Sequence, residues 1–215
     1  MHRREFLNRS LMAFALGSSI NLLTACGNKK RRAIPSGSTV LALGDSLTEG
    51  YGATLQTSYP TVLTSLTGWQ VINAGISGNT SEDALKRLPD LLSKHQPKLV
   101  LTCIGGNDIL RRVPETRMRS NIVSICQHIK NSGTPNMLIA VPRFSVIGAV
   151  TGSLNDHPVY ESIAKELDLP LLSSAWSKIL SNDSLKFDTV HANAQGYRRF
   201  AELLAQSLHE VGYLT

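Results

Sequence analysis

The chain of 215 residues has only three cysteines, Cys26, Cys103 and Cys126, and six histidines, none of them grouped. Without a cluster of His, Cys, Asp or Glu at metal-ligand spacing, no metal centre is expected, and so few cysteines exclude a disulfide-built scaffold. Long hydrophobic runs are missing too. The uncharged run Leu11 to Leu23 spans 13 residues, well short of the roughly 20 needed to cross a bilayer as a helix. Repeats and low-complexity tracts are absent, and 42% hydrophobic content suits one ordinary globular domain with a proper core. An excess of one charge sign is missing from the body of the chain. The formal net charge of +6 is confined to the start, in Arg3, Arg4 and Arg9 against Glu5 and in Lys29-Lys30-Arg31-Arg32; from Ala33 onward 15 basic and 15 acidic residues cancel. A basic face for nucleic acid is therefore not expected.

The beginning of the chain reads as an address. A charged opening, His2 to Arg9, precedes the short apolar run, as in a cleavable export signal. The run ends Leu23-Thr24-Ala25-Cys26, which resembles the lipobox of bacterial lipoproteins, and Arg3-Arg4-Glu5-Phe6-Leu7 resembles a twin-arginine signal. The expected organisation is a lipoprotein signal peptide over residues 1–25, a lipidated Cys26 with a basic tether over 26–37, and a single folded domain over 38–215. Lipid on Cys26 would anchor the protein in the bacterial cell envelope, with Gly27 favouring the outer membrane, and the basic tether would face anionic headgroups or stand solvated. Cys103, in an apolar strand, and Cys126, on the apolar side of a helix, are expected to be buried free thiols, although an exported compartment permits a disulfide.

The body alternates in period. Apolar runs at Thr39 to Leu43, Gln70 to Asn73, Lys98 to Ile104, Met137 to Val141 and Leu169 to Leu172 read as buried strands, with amphipathic stretches between them at Tyr59 to Leu66, Ser81 to Lys94, Glu115 to Asn131, His157 to Leu167 and Asn193 to Glu210. That order predicts an α/β three-layer sandwich, a central parallel sheet of about five strands flanked by helices. Ligands in such folds bind at the carboxyl ends of the strands. Ser46, Gly78 and Asn107 all stand just past such ends.

A serine hydroxyl is a poor nucleophile without a base and without donors for the oxyanion it creates. Among the six histidines only His191 follows an acid by three residues, Asp188, in a segment that leads into the last helix. At that spacing the carboxylate can hold one imidazole nitrogen while the other faces a serine. His95, His128 and His209 read as solvated helix positions, and His157, after Asp156, as a helix-start turn. The glycines of the loop after the second strand allow backbone N–H groups to point at a ligand.

Four stretches, "GDSLTEG" (44–50), "NAGISGNTS" (73–81), "GGND" (105–108) and "DTVHANAQGY" (188–197), together resemble the four blocks of the SGNH (GDSL) hydrolase family, from about Thr39 to the C-terminus. The segments Arg87 to Leu101 and Ala164 to Leu172 resemble its bacterial thioesterase, arylesterase and lysophospholipase branch. The resemblance implies the flavodoxin-like SGNH fold and a monomeric domain hydrolysing small-molecule acyl esters or thioesters without a cofactor. It implies Ser46 as nucleophile, His191 as general base and acid and Asp188 as its orienting partner. The N–H groups of Ser46 and Gly78 and the amide of Asn107 become the oxyanion hole. The nucleophile elbow G-x-S-x-G is absent around Ser46. Arg111, Arg112, Arg117 and Arg119, and the stretch Phe144 to Asp156, depart from the resemblance and form expected walls of the crevice. An O-acetylesterase of a cell-envelope glycan and a lipoprotein that binds acyl chains or glycans without turnover are the alternatives; the latter has no use for a base poised on a serine.

Overall fold

Three runs of residues with no exposed side chain make the centre of the sheet. In the computed structural model, which describes residues 31–144 and 153–215, β1 (Thr39–Gly44), β3 (Leu99–Cys103) and β4 (Asn136–Ile139) are buried almost throughout, while β2 (Gln70–Gly75) and the two-residue β5 (Leu171–Leu172) form the edges. Strands buried on both faces read as continuous apolar runs. All pairings are parallel, in the order β2-β1-β3-β4-β5. The chain leaves β1 for β2 on one side and returns to β3 on the other, so the ends of β1 and β3 diverge into a crevice at this reversal. Gly44 pairs with both Gly75 and Cys103, which levels the three strand ends beneath it.

The helices are α1 (Ser46–Glu49), α2 (Tyr59–Thr67), α3 (Ser81–His95), α4 (Gly106–Leu110), α5 (Glu115–Asn131), α6 (Val159–Leu167), α7 (Ala175–Leu180) and α8 (Ala194–Glu210). Helix α8 packs on α2 and α7, and α5 packs on α3 and α6, giving the two outer layers. This is the expected three-layer α/β sandwich. The first helical layer is joined by aromatic rings: Trp176 stacks on Phe200 at 3.8 Å between centroids, and Tyr59 meets Phe200 edge-on at 4.8 Å. Such pairs contribute about 0.5–1.5 kcal/mol each beyond the area they bury. They fix α8, and with it the turn that carries His191.

One sequence expectation changes at the edge of the domain. Residues 31–37 are bonded to the body rather than forming a tether: Arg31 N–H donates to Val211 O at 2.9 Å, Ile34 N–H to Tyr213 O at 2.9 Å, and the Trp69 indole N–H to Ile34 O at 3.1 Å. The Arg31 guanidinium also donates to Asp168 O at 2.7 Å. The packed body thus begins before residue 38. Cys103 and Cys126 are buried free thiols, and burial pushes the Cys126 thiol up to about 12, which keeps it protonated and inert. The expected signal peptide, Cys26, Lys29 and Lys30 lie outside the described residues, as does the 145–152 part of the Phe144 to Asp156 loop.

Candidate active site

The turn after β1 exists because two glycines leave room for it. A Cβ on Gly44 would stand 2.0 Å from Thr48 Oγ1 and 2.5 Å from Cys103 O, and one on Gly75 would stand 2.1 Å from Glu49 N. With glycine at both places α1 lies directly on the strand ends. Asp45 starts the helix, its Oδ1 accepting the Leu47 N–H at 3.1 Å. The carboxyl is fully buried and Oδ2 has no hydrogen-bond partner among the described residues. Burial pushes it up to about 7, against the pull of the Leu47 N–H and aided by the nearby charge of Asp108. Ser46, next in the chain, is half-buried at the crevice.

The second part of the site is the turn before α8. Asp188 Oδ1 accepts the backbone N–H groups of Val190 at 2.8 Å and His191 at 2.7 Å, which closes a tight turn and aims the carboxylate at the imidazole of the same turn. His191 Nδ1 lies 2.8 Å from Asp188 Oδ2 and 3.0 Å from Oδ1, and its Nε2 lies 2.9 Å from Ser46 Oγ. A carboxylate only accepts, so Nδ1 carries the proton and Nε2 is left to accept the serine O–H. Burial would raise the Asp188 carboxyl, but the bonds from the His191 ring and from two backbone N–H groups outweigh it and leave it below the usual aspartate value. Asn193 caps α8 through Gly196 N–H at 3.0 Å and donates to Ser184 O and Lys186 O, which holds the turn against the short helical turn Asp183–Leu185 that precedes it.

The third part joins the loops after β2 and β3. Gly78 has φ of 81°, the left-handed region that glycine enters without strain. The Asn107 side chain, on the first turn of α4, donates to Asn79 O at 3.0 Å, one residue beyond Gly78. Asp108 accepts both the N–H (2.7 Å) and the hydroxyl (2.6 Å) of Ser81 at the start of α3. The two loops are thereby locked side by side. Glu49, at the end of α1, accepts the Ser77 N–H at 2.6 Å, and Arg87 donates to Gly44 O and to the Asn79 side chain. Sequence reasoning missed Glu49, Asn79 and Arg87; the one signal for Arg87 was a long cation among the apolar positions of an otherwise amphipathic helix.

The structure therefore brings Ser46, Asp188 and His191 into one hydrogen-bonded chain and sets Gly78 and Asn107 on the two neighbouring loops. Exposed apolar side chains stand on the same loops: Tyr51, Ile76, Leu110 and Phe187. Tyr51 leans on the His191 ring at 4.6 Å and meets Phe187 edge-on at 6.0 Å. The four arginines expected near the crevice separate. Arg111 places its guanidinium 3.3 Å from where a Gly78 Cβ would be, Arg112 and Arg117 are exposed, and Arg119 pairs with Glu166 on α6. His157 accepts the Val159 N–H at 3.3 Å, the helix-start turn expected of it. Among the described residues no group of three or more His, Cys, Asp or Glu could hold a metal ion.

The profile of the GDSL-like lipase/acylhydrolase family matches residues 42–199, a span that takes in all three parts of this site. The chain belongs to that family. It is 33% identical over 175 residues to the "Thioesterase 1/protease 1/lysophospholipase L1" of Escherichia coli, covering 79% of this chain and 83% of the relative. It is 32% identical to an arylesterase of Vibrio mimicus, covering 79% and 87%. The crystal structure of TesA superposes with a TM-score of 0.72 at 24% identity, covering 80% of this chain and 99% of the other. The fold is that of the SGNH hydrolases, and the protein is an ester hydrolase of the GDSL/SGNH type.

Proposed function

We propose that this GDSL hydrolase cleaves acyl esters and thioesters through an acyl-enzyme on Ser46. The observation that carries the reading is the 2.9 Å contact of His191 Nε2 with Ser46 Oγ, with Asp188 on the far side of the ring. Ser46 Oγ attacks the acyl carbonyl while its proton passes to His191 Nε2. Asp188 stabilises the imidazolium without taking the proton. The carbonyl oxygen becomes an oxyanion received by the Ser46 and Gly78 N–H groups and the Asn107 amide. The Ser46 N–H opens a helix, where no intrahelical acceptor competes for it. Collapse of the tetrahedral intermediate breaks the bond to the alcohol or thiol, which leaves with the proton from His191. Water then attacks the acyl-enzyme with His191 again as base, releasing the acid and restoring the serine.

The acyl chain is read by apolar surface. Tyr51, Ile76, Leu110 and Phe187 offer it around the crevice, and burial of each methylene is worth about 0.8 kcal/mol at most. The likeness to the Escherichia coli thioesterase/lysophospholipase and the Vibrio mimicus arylesterase supports fatty or aryl esters as substrates. Purified protein lacking residues 1–26 tests the reading on p-nitrophenyl esters, acyl thioesters, lysophospholipids and acetylated glycans. Medium-chain esters and thioesters turned over faster than acetate support it. A strict preference for acetate, with acetylated glycans fastest, overturns it in favour of a glycan O-acetylesterase.

The lipobox-like Leu23-Thr24-Ala25-Cys26 supports a lipid anchor at Cys26 in the cell envelope as part of the same reading. Residue 31 is bonded beside Val211 and Asp168, at the amino ends of the strands and opposite the crevice. Wild-type protein expressed with its own leader should partition with membranes and carry lipid on Cys26. Soluble, unlipidated wild type contradicts the anchor without touching the hydrolase.

A further inference from the structure

Arg87 lies on the second turn of α3, away from the reacting groups, yet its side chain is turned inward and half-buried. Taking a guanidinium out of water is costly unless its N–H groups are matched. The matches here come from two different loops. Nη2 donates to Gly44 O at 2.8 Å, two residues before Ser46, and Nε donates to Asn79 Oδ1 at 2.9 Å, one residue after Gly78. The carbonyl of the same Asn79 receives the Asn107 side-chain amide at 3.0 Å. Asn79 is thus held by its side chain and itself holds Asn107 by its backbone. Asp45 and Asp83 lie close enough to favour the charged guanidinium against its burial.

We propose that Arg87 is a positioning residue that sets the spacing between the Ser46 turn and the two loop donors, Gly78 and Asn107, by clasping Gly44 to Asn79. The proposal rests on the oxyanion-hole reading of Gly78 and Asn107. Only a planar fork reaches both acceptors at once; a lysine at this place would satisfy one. A clasp of this kind acts on the transition state, because the donors must meet an oxyanion whose position is fixed by the Ser46 turn. A shift of about 1 Å in such a donor can cost 10²-fold in rate.

Steady-state kinetics on an ester substrate, with melting temperatures in parallel, test it using Arg87→Gln, Arg87→Lys, Asn79→Ala, Asn107→Ala and the double variant Arg87→Gln/Asn107→Ala. Arg87→Gln should lower kcat by about 10- to 10²-fold with KM within about twofold, and Arg87→Lys should recover part of the loss. Asn79→Ala, which removes the gripped side chain and leaves the arginine in place, should act in the same direction and serves if Arg87→Gln does not fold. The double variant should lose less than the product of the two single losses, because the part of the Arg87→Gln loss that acts through Asn107 is already gone when Asn107 is alanine. Wild-type kcat in folded Arg87→Gln or Asn79→Ala, or losses that multiply in the double variant, overturn the clasp. A wild-type kcat in Asn107→Ala overturns the oxyanion-hole reading itself, and the clasp with it.

Discussion

His191 Nε2 lies 2.9 Å from Ser46 Oγ across 145 residues of chain. The sheet makes this contact: Ser46 rides on the end of β1, and His191 on a turn held over the same end by α8. Its use depends on the tautomer that Asp188 imposes through Nδ1.

Asp188→Asn isolates that effect. Asparagine keeps an oxygen for the Val190 and His191 N–H groups that close the turn, but its amide can present N–H groups to Nδ1 and so place the proton on Nε2, where it faces the serine. We expect kcat to fall by about 10⁴-fold, as for the comparable change in a serine protease triad, with the melting temperature at neutral pH reduced by a few degrees at most. A loss of activity that follows a collapse in stability would assign Asp188 to the fold instead.

A second expectation concerns pH and the buried carboxyl under the nucleophile. Asp45 titrates at about 7 in the folded protein against an ordinary 3.8, so between those values the folded state holds a proton that the unfolded chain has released. Stability from this group is therefore greatest below about pH 4, declines as pH rises to about 7, and stays low above it, a change on the order of 4 kcal/mol. Asp188 has the opposite sign: its lowered value gives a contribution present above the usual aspartate range and lost as pH falls through it. Asp45→Asn retains the acceptor for Leu47 and cannot ionise. Its melting temperature should match wild type near pH 4 and exceed it at pH 8. A difference that does not vary with pH would contradict the buried-carboxyl account.

The parts of this molecule legible in the sequence are those that repeat a period or sit within one short motif. Helix α5 spans Glu115–Asn131 as expected, since Pro114 and Gly133 punctuate a strongly periodic stretch. Helices α1, α4 and α7, of four to six residues, are too short to display a period and lie outside the stretches expected to be helical. The last strand, expected over Leu169 to Leu172, is confined to Leu171–Leu172; Pro170 accepts the Leu138 N–H through its carbonyl at 2.9 Å but has no N–H to carry the ladder further back. The Asp188–His191 turn was readable because its bonds run between neighbours. Contacts of Arg87, Asn79 and Glu49 join loops distant in sequence, and no local pattern announces them. The same holds for residues 31–37, where basic composition concealed a segment bonded to the chain's other end.

Chain-length dependence should follow the exposed apolar rim. For the wild type, each added acyl methylene should raise kcat/KM by up to about fourfold until the crevice is filled, the equivalent of about 0.8 kcal/mol. Leu110→Ala and Phe187→Ala should flatten that slope while leaving acetate turnover within about twofold of wild type. An unchanged slope in both variants would move the acyl chain to another wall.

Covalent labelling of Ser46 tests the central claim most directly. A fluorophosphonate transfers its phosphonyl group to an activated serine oxygen with loss of fluoride, and peptide mass spectrometry locates the adduct. Wild-type protein should be labelled stoichiometrically on Ser46, with no label on folded Ser46→Ala and labelling slowed by orders of magnitude on folded His191→Ala. Full labelling of Ser46→Ala, or a wild-type adduct on any other residue, would contradict the account.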